Sequence, residues 1–355
     1  MAIDRVISGE AGNDREEQTN WALRPRRLGD CIGQQQVIEQ LRIAIAAAKH
    51  RGEPLEHILL DGPPGLGKTT LAHVIAEEMG VTDRIRVTSG PAIVKQGELM
   101  STLTNLTVGD VLFIDEIHRL NRVVEEFLYP AMEDFRVDYT IESGIGGRTV
   151  NFRLARFTLV GATTRAGMLT AAMRERFGLR YHLDFYKADD LTEIIRRSAG
   201  MLEIGAEPEA LRMIARRARG TPRVANRLLR RVRDYAQVRG DGRLTTAIVD
   251  KALAIEEIDA LGLDKLDRAF LRILIETYKG GPAGIEAIAA TMGQERDTLE
   301  DVVEPFLLQI GFVTRTRQGR CATPRAYEHL GLVPPPAEPS LEQPGLFHDP
   351  PEGPE

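Results

Sequence analysis

Short apolar runs alternate with helical patterns along the first half of the chain. Four runs of four or five residues are typical of buried strands, at 57–61, 84–88, 111–114 and 158–161. Helical spacing separates these runs; after Gly33, for example, Val37, Ile38, Leu41 and Ile45 fall on one helix face. Strands separated by helices predict an α/β fold, a parallel sheet covered by helices on both faces.

The pattern changes in the second half. Between 187 and 259, three apolar stripes at helical spacing predict a small helical bundle. From 260 to 332, two or three helical patterns precede a predicted strand pair at 311–316 and 320–323, joined by a turn at Gln318-Gly319. Helices followed by a β-hairpin favour a winged helix-turn-helix domain.

The two ends of the chain carry neither pattern. Residues 1–20 contain five acidic residues, and residues 333–355 contain eight prolines and five acidic residues without Lys or Arg. Such segments cannot bury enough apolar surface to fold alone. The predicted organisation is a flexible tail (1–20), a large α/β domain (21–186), a small helical lid (187–259), a winged-helix head (260–332) and a disordered tail (333–355).

Composition narrows the class of protein. The chain has 355 residues, of which 43% are hydrophobic, but no run of about 18 apolar residues, so we expect no membrane span. The N-terminus lacks the apolar stretch of a signal peptide. Cys31 and Cys321 lie far apart without metal-type spacing, which favours a reducing cytoplasm. The net charge of −6 gives no reason by itself to propose nucleic acid.

One segment has the pattern of a phosphate-binding loop. Residues 62–69 read G-P-P-G-L-G-K-T between a predicted strand and a predicted helix, the context that this motif requires. Gly65 and Gly67 let backbone N–H groups turn towards an anion. Lys68 can then reach the β- and γ-phosphates of ATP, and the Thr69 hydroxyl can ligate Mg²⁺ directly. This context disfavours the alternative, a glycine-rich turn with a chance lysine.

An acidic pair ends the apolar run at 111–114. Asp115 can hold Mg²⁺ through water, and Glu116 can act as general base on the attacking water. A solvated acidic turn is the alternative. It is disfavoured because the buried run aims its C-terminal end at the ligand crevice of the sheet.

Two further segments complete a resemblance to the AAA+ ATPase family: G-A-T-T-R at 161–165 and R-E-R-F at 174–177. In this resemblance, Glu116 corresponds to the acidic residue that the family uses for catalysis. It makes Thr164 the polar sensor of the γ-phosphate, with Thr163 as the rival. Arg176 resembles the arginine finger that reaches into a neighbouring subunit's site, and Arg223, in a G-T-P-R motif, resembles the second sensor on the lid.

A narrower resemblance, to the RuvB family of bacterial Holliday-junction branch-migration motors, covers about residues 21–332. It rests on D-G-P-P-G-L-G-K-T-T at 61–70, L-F-I-D-E-I-H-R-L at 112–120, Y-P-A-M-E-D at 129–134, R-G-T-P-R at 219–223, E-R-D-T at 295–298 and T-P-R-A at 323–326. The resemblance implies a homohexamer around duplex DNA that acts on Holliday junctions with the junction-binding protein RuvA and the resolvase RuvC.

The resemblance also implies nucleotide contacts that the residues alone do not indicate. The full set would be Leu23, Arg24, Gly65, Gly67, Lys68, Thr69, Thr70, Glu133, Asp134, Phe135, Arg176, Tyr186 and Arg223. Leu23 and Arg24 would lie near the adenine, and Tyr186 beside the base at the lid hinge. Residues 133–135 would border the site from the same or the adjoining subunit. Asp61 has no role in this scheme beyond capping a strand.

Residues 137–154 alternate as two strands around S-G-I-G-G at 143–147, which predicts a β-hairpin. Ile141 and Ile145 would be exposed near its tip. A mobile decorative loop fits the pattern equally well. The resemblance favours a functional hairpin, because such a hairpin docks RuvA in that family.

Arginines are concentrated in two places. Nine arginines and no acidic residue lie between 210 and 233. We interpret most of them as a solvated face next to acidic neighbours, with Arg223 as the exception because of its motif. The second concentration lies on the predicted wing.

Between 305 and 327 there is no acidic residue, although 261–332 as a whole holds nine Lys and Arg against ten Asp and Glu. Positive charge is therefore segregated onto the wing. Arg315 and Arg317 would share a strand face, and Arg320 would return to the same region. A strand edge protected by charge is the alternative. The resemblance places DNA contacts at Arg315, Arg320 and Arg296, which in a motor should hold phosphates.

Two other functions fit a P-loop ATPase of this kind. Protein-unfolding AAA+ rings grip polypeptide with an aromatic residue after the second strand, whereas residues 89–100 contain no aromatic residue. A winged-helix DNA-binding switch or initiator would use ATP only to change shape, and Glu116 counts against it because it equips the site for hydrolysis. The sequence therefore favours a DNA motor that uses ATP and Mg²⁺.

Overall fold

The computed structural model describes residues 23–140 and 149–334. The predicted N-terminal tail, the C-terminal tail beyond Pro334 and the hairpin tip with Ile141 and Ile145 lie outside the described residues. Among the helices of the described segments, none is long and apolar enough to cross a bilayer.

The described strands are β1 (Ile58–Asp61), β2 (Ile85–Ser89), β3 (Val111–Asp115), β4 (Arg136–Thr140), β5 (Thr149–Arg153), β6 (Thr158–Thr163), β7 (Leu179–His182), β8 (Val313–Arg315) and β9 (Arg320–Ala322). Five of them form a parallel sheet in the order β2-β3-β6-β1-β7. The four predicted strands of this sheet are confirmed. The edge strand β7 was not predicted because Tyr181 is the one buried residue of the strand, so the sequence there shows no apolar run.

The described α-helices are α1 (Gln35–Arg51), α2 (Lys68–Glu78), α3 (Gln96–Thr104), α4 (Arg122–Glu133), α5 (Ala171–Glu175), α6 (Ala188–Met201), α7 (Pro208–Arg216), α8 (Pro222–Arg239), α9 (Thr246–Ile255), α10 (Lys265–Arg272), α11 (Ile285–Met292), α12 (Arg296–Thr298), α13 (Glu304–Gln309) and α14 (Pro324–His329). A π-helical segment at Ile273–Thr277 extends α10, and another at Leu299–Val303 joins α12 to α13. Short 3-10 turns lie at Leu28–Asp30, Thr82–Arg84, Gly90–Ala92, Ile117–Arg119 and Ala166–Met168.

The two faces of the sheet are covered by different helices, as predicted. Phe113 of β3 points into a core shared with α1 and α2. Its neighbours Leu112 and Ile114 point to the opposite face, where α3 and α4 pack. All three side chains are fully buried, and burying each stabilises the fold by about 1.5–3 kcal/mol. The two cores fix the carboxyl ends of the strands relative to one another.

Helices α6 to α9 form the predicted helical bundle around a core that includes Ile195, Ile214 and Leu228. The Thr221 hydroxyl caps α8 by accepting a hydrogen bond from the Val224 N–H. Such a cap is worth about 1 kcal/mol.

The interpretation of the arginine-rich segment 210–233 as a solvated face is wrong for three residues. Arg219, Arg227 and Arg230 are buried. Arg219 donates to the Gly262 carbonyl at 2.9 Å and pairs with Asp267, so it fastens the bundle to the C-terminal domain. Sequence spacing could not show this burial, because it depends on which elements cover the polar side of each helix.

The C-terminal elements form the predicted winged helix. Phe270, Leu274, Ile288 and Leu307 lie at the centre of its core. Strands β8 and β9 pair antiparallel, with Arg315 opposite Arg320. Strand β8 ends at Arg315, so the expectation that Arg317 shares its strand face is wrong; Arg317 lies beyond the strand, before the turn.

The hairpin predicted at 137–154 is present as β4 and β5, which pair antiparallel from Arg136 opposite Arg153 to Thr140 opposite Thr149. Its base packs on the large domain, where Val137 is fully buried. The ring of Tyr139 lies 6.5 Å from that of Phe127. The hairpin therefore has a fixed root.

Candidate nucleotide and nucleic-acid sites

The phosphate loop connects β1 to α2 at the carboxyl edge of the sheet. Gly62 has φ 134°, and a Cβ there would lie 2.4 Å from the Leu183 carbonyl oxygen, so only glycine fits. The buried Lys68 ammonium donates to the Gly62 carbonyl at 2.7 Å and the Pro63 carbonyl at 2.9 Å. The loop therefore surrounds the Lys68 ammonium, which can bind an anion.

Burial lowers the pKa of Lys68 to about 8, and the nearby carboxylates of Glu116 and Asp115 act in the opposite direction. A bound polyphosphate would add negative charge beside the ammonium and favour its protonated form. The loop is thus suited to an anionic ligand.

Asp115 ends β3 close to the first turn of α2, where Thr70 follows Thr69. The Thr69 hydroxyl donates to Asp115 Oδ2 at 3.3 Å, and the Glu116 N–H donates to Asp115 Oδ1 at 3.0 Å. Mg²⁺ takes oxygen ligands and usually adds one or two protein oxygens to substrate phosphates and water. A hydroxyl and a carboxylate beside the phosphate loop fit that ion.

Glu116 is held by two neighbours through a single carboxylate oxygen. The Thr164 hydroxyl donates to Glu116 Oε2 at 3.1 Å, and His118 Nδ1 lies 3.2 Å from the same oxygen. The Thr163 hydroxyl instead lies 2.9 Å from His118 Nδ1. Of the two threonines considered as sensor, Thr164 therefore contacts Glu116 itself.

Sequence reasoning missed His118. Its side chain is buried, and burial lowers its pKa against the opposing influence of Glu116. The one available signal was its position, two residues after Glu116 in the 3-10 turn Ile117–Arg119. The turn brings His118 back towards the carboxylate because Glu116 has a left-handed φ of 47°.

The helical bundle closes against the phosphate loop through Tyr186 and Arg223. The Tyr186 hydroxyl donates to the Leu66 carbonyl at 3.4 Å. The Arg223 N–H donates to the Gly65 carbonyl at 3.4 Å. A Cβ on Gly33 would lie 2.8 Å from the Tyr186 ring, so glycine leaves room for it. Burial raises the pKa of Tyr186, so it stays neutral.

Leu23 and Arg24 lie at the start of the described chain. Leu23 is buried. Arg24 lies close enough to His73, on α2, to influence it: burial first and the charge of Arg24 second lower the pKa of His73 to about 4. This places Arg24 beside the helix that carries the phosphate loop.

Arg176 and Glu133 form a separate cluster. Arg176 Nη2 lies 3.2 Å from Glu133 Oε1, Nη1 donates to the Ala172 carbonyl at 2.7 Å, and the guanidinium lies 4.1 Å from the centre of the Tyr129 ring. Arg176 Nε is buried, and within the described residues it has no hydrogen-bond partner. None of these partners belongs to the phosphate loop, so the structure does not bring Arg176 to its own chain's loop.

Asp134 and Phe135, the other two residues of the 133–135 segment, contact nearby residues of their own domain. Asp134 pairs with Arg136 at 3.0 Å. The Phe135 ring lies 5.8 Å from that of Phe157 and 6.0 Å from that of His57. Phe135 therefore packs as a structural residue in this chain.

Asp61, which the sequence left without a role, ends β1 and lies 2.5 Å from Nδ1 of His182 at the end of β7. A cleft of about 440 Å³ opens there between the phosphate loop and the winged helix. Thr164, Arg165 and Arg315 line it from the two sides.

The arginines predicted to contact DNA are not free in this structure. Arg315 and Arg320 both bind the buried carboxylate of Glu304, with nitrogen–oxygen distances of 2.7–3.0 Å. Arg296 lies 2.9 Å from Glu286 and 3.2 Å from Glu300. The Arg320 side chain is 13% exposed and that of Arg315 55%. Glu304, the acid that pairs with Arg315 and Arg320, immediately precedes the acid-free segment 305–327.

Three models of known protein domains match consecutive segments of the chain. Residues 23–183 match the Holliday junction DNA helicase RuvB P-loop domain, residues 186–259 the RuvB AAA lid domain and residues 260–331 the RuvB C-terminal winged helix domain.

The Holliday junction branch migration complex subunit RuvB of Chloroflexus aurantiacus is 56% identical over 332 residues, 94% of each chain. The Thermotoga maritima RuvB Holliday junction branch migration motor superposes with a TM-score of 0.80 at 52% identity, covering 88% of this chain and 99% of that one. The AAA+ sheet with its helical lid and winged helix is confirmed by this match. The chain belongs to the RuvB family.

Proposed function

We propose that this chain is an ATP-driven motor subunit that translocates duplex DNA and drives branch migration of Holliday junctions, in homologous recombination and DNA repair. The observation that carries the proposal is the juxtaposition at one sheet edge of a phosphate loop, a magnesium-type oxygen pair and the carboxylate of Glu116, all beside a winged helix. Membership of the RuvB family supports it. The proposed place of action is the cytoplasm, where bacterial DNA lies.

The hydrolysis site is assigned as follows. Lys68 binds the β- and γ-phosphates of ATP, Thr69 ligates Mg²⁺ directly and Asp115 binds it through water. Glu116 takes a proton from the attacking water, and Thr164 senses the γ-phosphate. The contacts of Thr69 and Thr164 with the two carboxylates support these roles. When bound, Mg²⁺ neutralises charge that develops on the phosphates.

The remaining nucleotide contacts surround this centre. Arg223 approaches from the lid, Tyr186 from the hinge that precedes it, and Leu23 and Arg24 from the start of the large domain. Gly65, Gly67 and Thr70 complete the loop. The domain limits 21–186, 187–259 and 260–332 follow the same division.

We place Arg176 and Glu133 in the site of an adjoining subunit, within a homohexameric ring. Their partners lie outside their own phosphate loop, and the N–H of Arg176 Nε donates to no atom of the described residues. An arginine that acts in trans on the γ-phosphate makes hydrolysis depend on assembly. Asp134 and Phe135 would stabilise the segment that carries Glu133 through contacts within their own subunit.

DNA contact is assigned to Arg315, Arg320 and Arg296 on the winged helix, through phosphates. RuvA docking is assigned to the hairpin at 137–154, whose root is fixed by Val137. RuvC would act on the same junction after migration.

Electron microscopy of the protein with ATP, Mg²⁺ and duplex DNA tests the architecture. The proposal predicts closed rings threaded by the duplex, with Glu116→Gln trapping more of them because ATP stays bound. Monomers bound beside the duplex under the same conditions would contradict a ring motor and favour a DNA-binding switch.

A further inference from the structure

Arg165 joins the strand that carries the sensor to the winged helix of the same chain. Its backbone N–H donates to the Thr163 hydroxyl at 3.0 Å. Its side chain crosses to the winged helix, where Nε and Nη2 each donate to one oxygen of Asp301 at 2.8 Å and Nη2 also reaches Asp297 at 3.2 Å. This two-point arginine–carboxylate pairing fixes direction as well as distance.

The acidic face that receives Arg165 also holds the proposed DNA-contacting arginines. Glu300 Oε2 lies 3.8 Å from Arg165 Nη2. Its other oxygen lies 3.2 Å from Arg296 and 3.4 Å from Arg320. The Glu300 side chain is 17% exposed, so solvent screens these contacts only in part. One carboxylate is therefore shared between the ATPase domain and the DNA-contacting side chains.

On the opposite side, Arg165 is connected to the proposed base. The Thr163 hydroxyl that accepts from its N–H lies 2.9 Å from His118 Nδ1, and His118 lies 3.2 Å from Glu116 Oε2. The residue before Arg165, Thr164, donates to that same oxygen. A shift of the Arg165 backbone would therefore change both contacts that hold Glu116.

We infer that Arg165 is a positioning residue that couples DNA contact at the winged helix to the orientation of Glu116; the inference rests on the proposed function. DNA phosphates compete with Glu300 for Arg296 and Arg320. The Glu300 carboxylate, once released from Arg296 and Arg320, can pair with Arg165. This pairing pulls on the Arg165 backbone and so shifts the end of β6. Coupling between two binding sites is reciprocal, so if DNA at the winged helix alters nucleotide affinity through these contacts, nucleotide alters DNA affinity by the same factor.

A purely structural clasp between domains would use the same contacts. The two roles differ in what their loss changes. Loss of a clasp lowers the melting temperature and leaves the dependence of DNA affinity on nucleotide as it was. Loss of a coupling residue removes that dependence while DNA affinity without nucleotide stays the same.

The test measures duplex affinity by fluorescence anisotropy, with and without Mg²⁺ and a hydrolysis-resistant ATP analogue, in the full chain and in Arg165→Ala. The unaltered chain should show an affinity ratio of about fivefold or more, within the usual range for coupled sites. In Arg165→Ala the ratio should approach unity. Arg122→Ala is the matched control, because Arg122 pairs with Glu126 on an exposed helix face and should keep the full ratio.

Asp301→Asn should lower the ratio as Arg165→Ala does, and Arg165→Lys, which keeps the positive charge that faces Asp297 and Glu300, should retain part of it. If Arg165→Ala keeps the ratio while its melting temperature falls, Arg165 is only a clasp and the inference is overturned. A reduced salt dependence of DNA binding in Arg165→Ala would overturn it differently, by placing Arg165 on the DNA. Failure of the unaltered chain to bind duplex at all would contradict the proposed function together with the inference.

Discussion

The phosphate loop and the wing both present basic side chains to a polyanion, but their starting states differ. Lys68 is bonded to two backbone carbonyls, which carry no net charge. Arg315 and Arg320 are bonded to the fully buried carboxylate of Glu304. ATP can therefore replace neutral partners, whereas DNA must compete with an anion. Nucleotide binding at the loop therefore needs no exchange of charged partners, whereas DNA contact at the wing depends on one.

This difference predicts where substitutions act. Around the phosphate loop they should alter hydrolysis by large factors, because charge develops there in the transition state. On the wing they should alter affinity and its salt dependence by small factors, because each arginine meets one phosphate and already has a partner.

Among variants that still bind nucleotide, the largest effect on turnover is expected for Arg176→Ala. Turnover in the assembled ring should fall by about 10³–10⁵, while nucleotide binding by isolated subunits is retained. Lys68→Ala should abolish nucleotide binding, since it removes the charge that faces the phosphates. Mixing the two variants should recover part of the ATPase activity, because some interfaces then pair an intact site with an intact finger. No recovery in rings shown to have mixed would contradict action in trans.

Glu116→Gln should bind ATP and hydrolyse it about 10²–10⁴-fold more slowly, because an amide cannot accept a proton from water. Single-turnover hydrolysis with Mg²⁺ present measures this directly. Thr164→Val provides a comparison, because it removes the hydroxyl that contacts Glu116 and leaves the carboxylate in place. A wild-type rate in Glu116→Gln would require a different base.

Glu304→Gln sharpens the comparison most directly on the DNA side. Glu304→Gln removes the buried charge that Arg315 and Arg320 share, so the melting temperature of the winged helix should fall; the loss should be smaller than the roughly 3–5 kcal/mol of a fully buried pair, because the Arg315 side chain is 55% exposed. Among the molecules that remain folded, duplex affinity at low salt should rise, because Arg315 and Arg320 no longer face an anion. A fall in affinity with the fold intact would show instead that Glu304 orients the arginines for DNA.

Arg315→Ala and Arg320→Ala should each reduce the salt dependence of duplex binding by about one phosphate contact. The loss should be equal for two unrelated duplex sequences, since phosphates carry no sequence information. ATPase without DNA should not change. A loss confined to one sequence would indicate base recognition and a sequence-reading switch.

The smallest effect on intrinsic ATPase is expected from shortening the hairpin. Asp138 and Asn151 face each other across β4 and β5, with a side-chain hydrogen bond of 2.7 Å. Joining the next pair along the hairpin, Tyr139 and Val150, by an Asn-Gly turn removes 140–149 and keeps the contact between Tyr139 and Phe127. Stimulation by RuvA should be lost and RuvA-free hydrolysis retained. Normal RuvA binding would move the docking site elsewhere.

The parts of the molecule that could be predicted from sequence are those encoded locally. The phosphate loop, the acidic end of β3 and the order of helices and strands each occupy a few consecutive residues with a strong pattern. The bond between Thr164 and Glu116 depends on two separate strands. Only the family resemblance pointed to Thr164 as the sensor, and it left Thr163 open as the alternative residue.

The rest depends on contacts between distant segments. Glu304 neutralises arginines 11 and 16 positions away, and Arg165 reaches Asp301 across 136 positions. No periodicity records such pairs. The burial of Arg227 and Arg230 was missed for the same reason, since a helix pattern shows an arginine's face and not what covers it.

The central claim is that ATP hydrolysis at this site moves DNA through a junction. The most direct measurement is branch migration of a synthetic four-way junction with heterologous arms, followed by gel or fluorescence, with RuvA, ATP and Mg²⁺. The account predicts conversion to duplex products by the unaltered chain and none by Glu116→Gln. ATP hydrolysis stimulated by DNA without any junction conversion, in the presence of active RuvA, would contradict it.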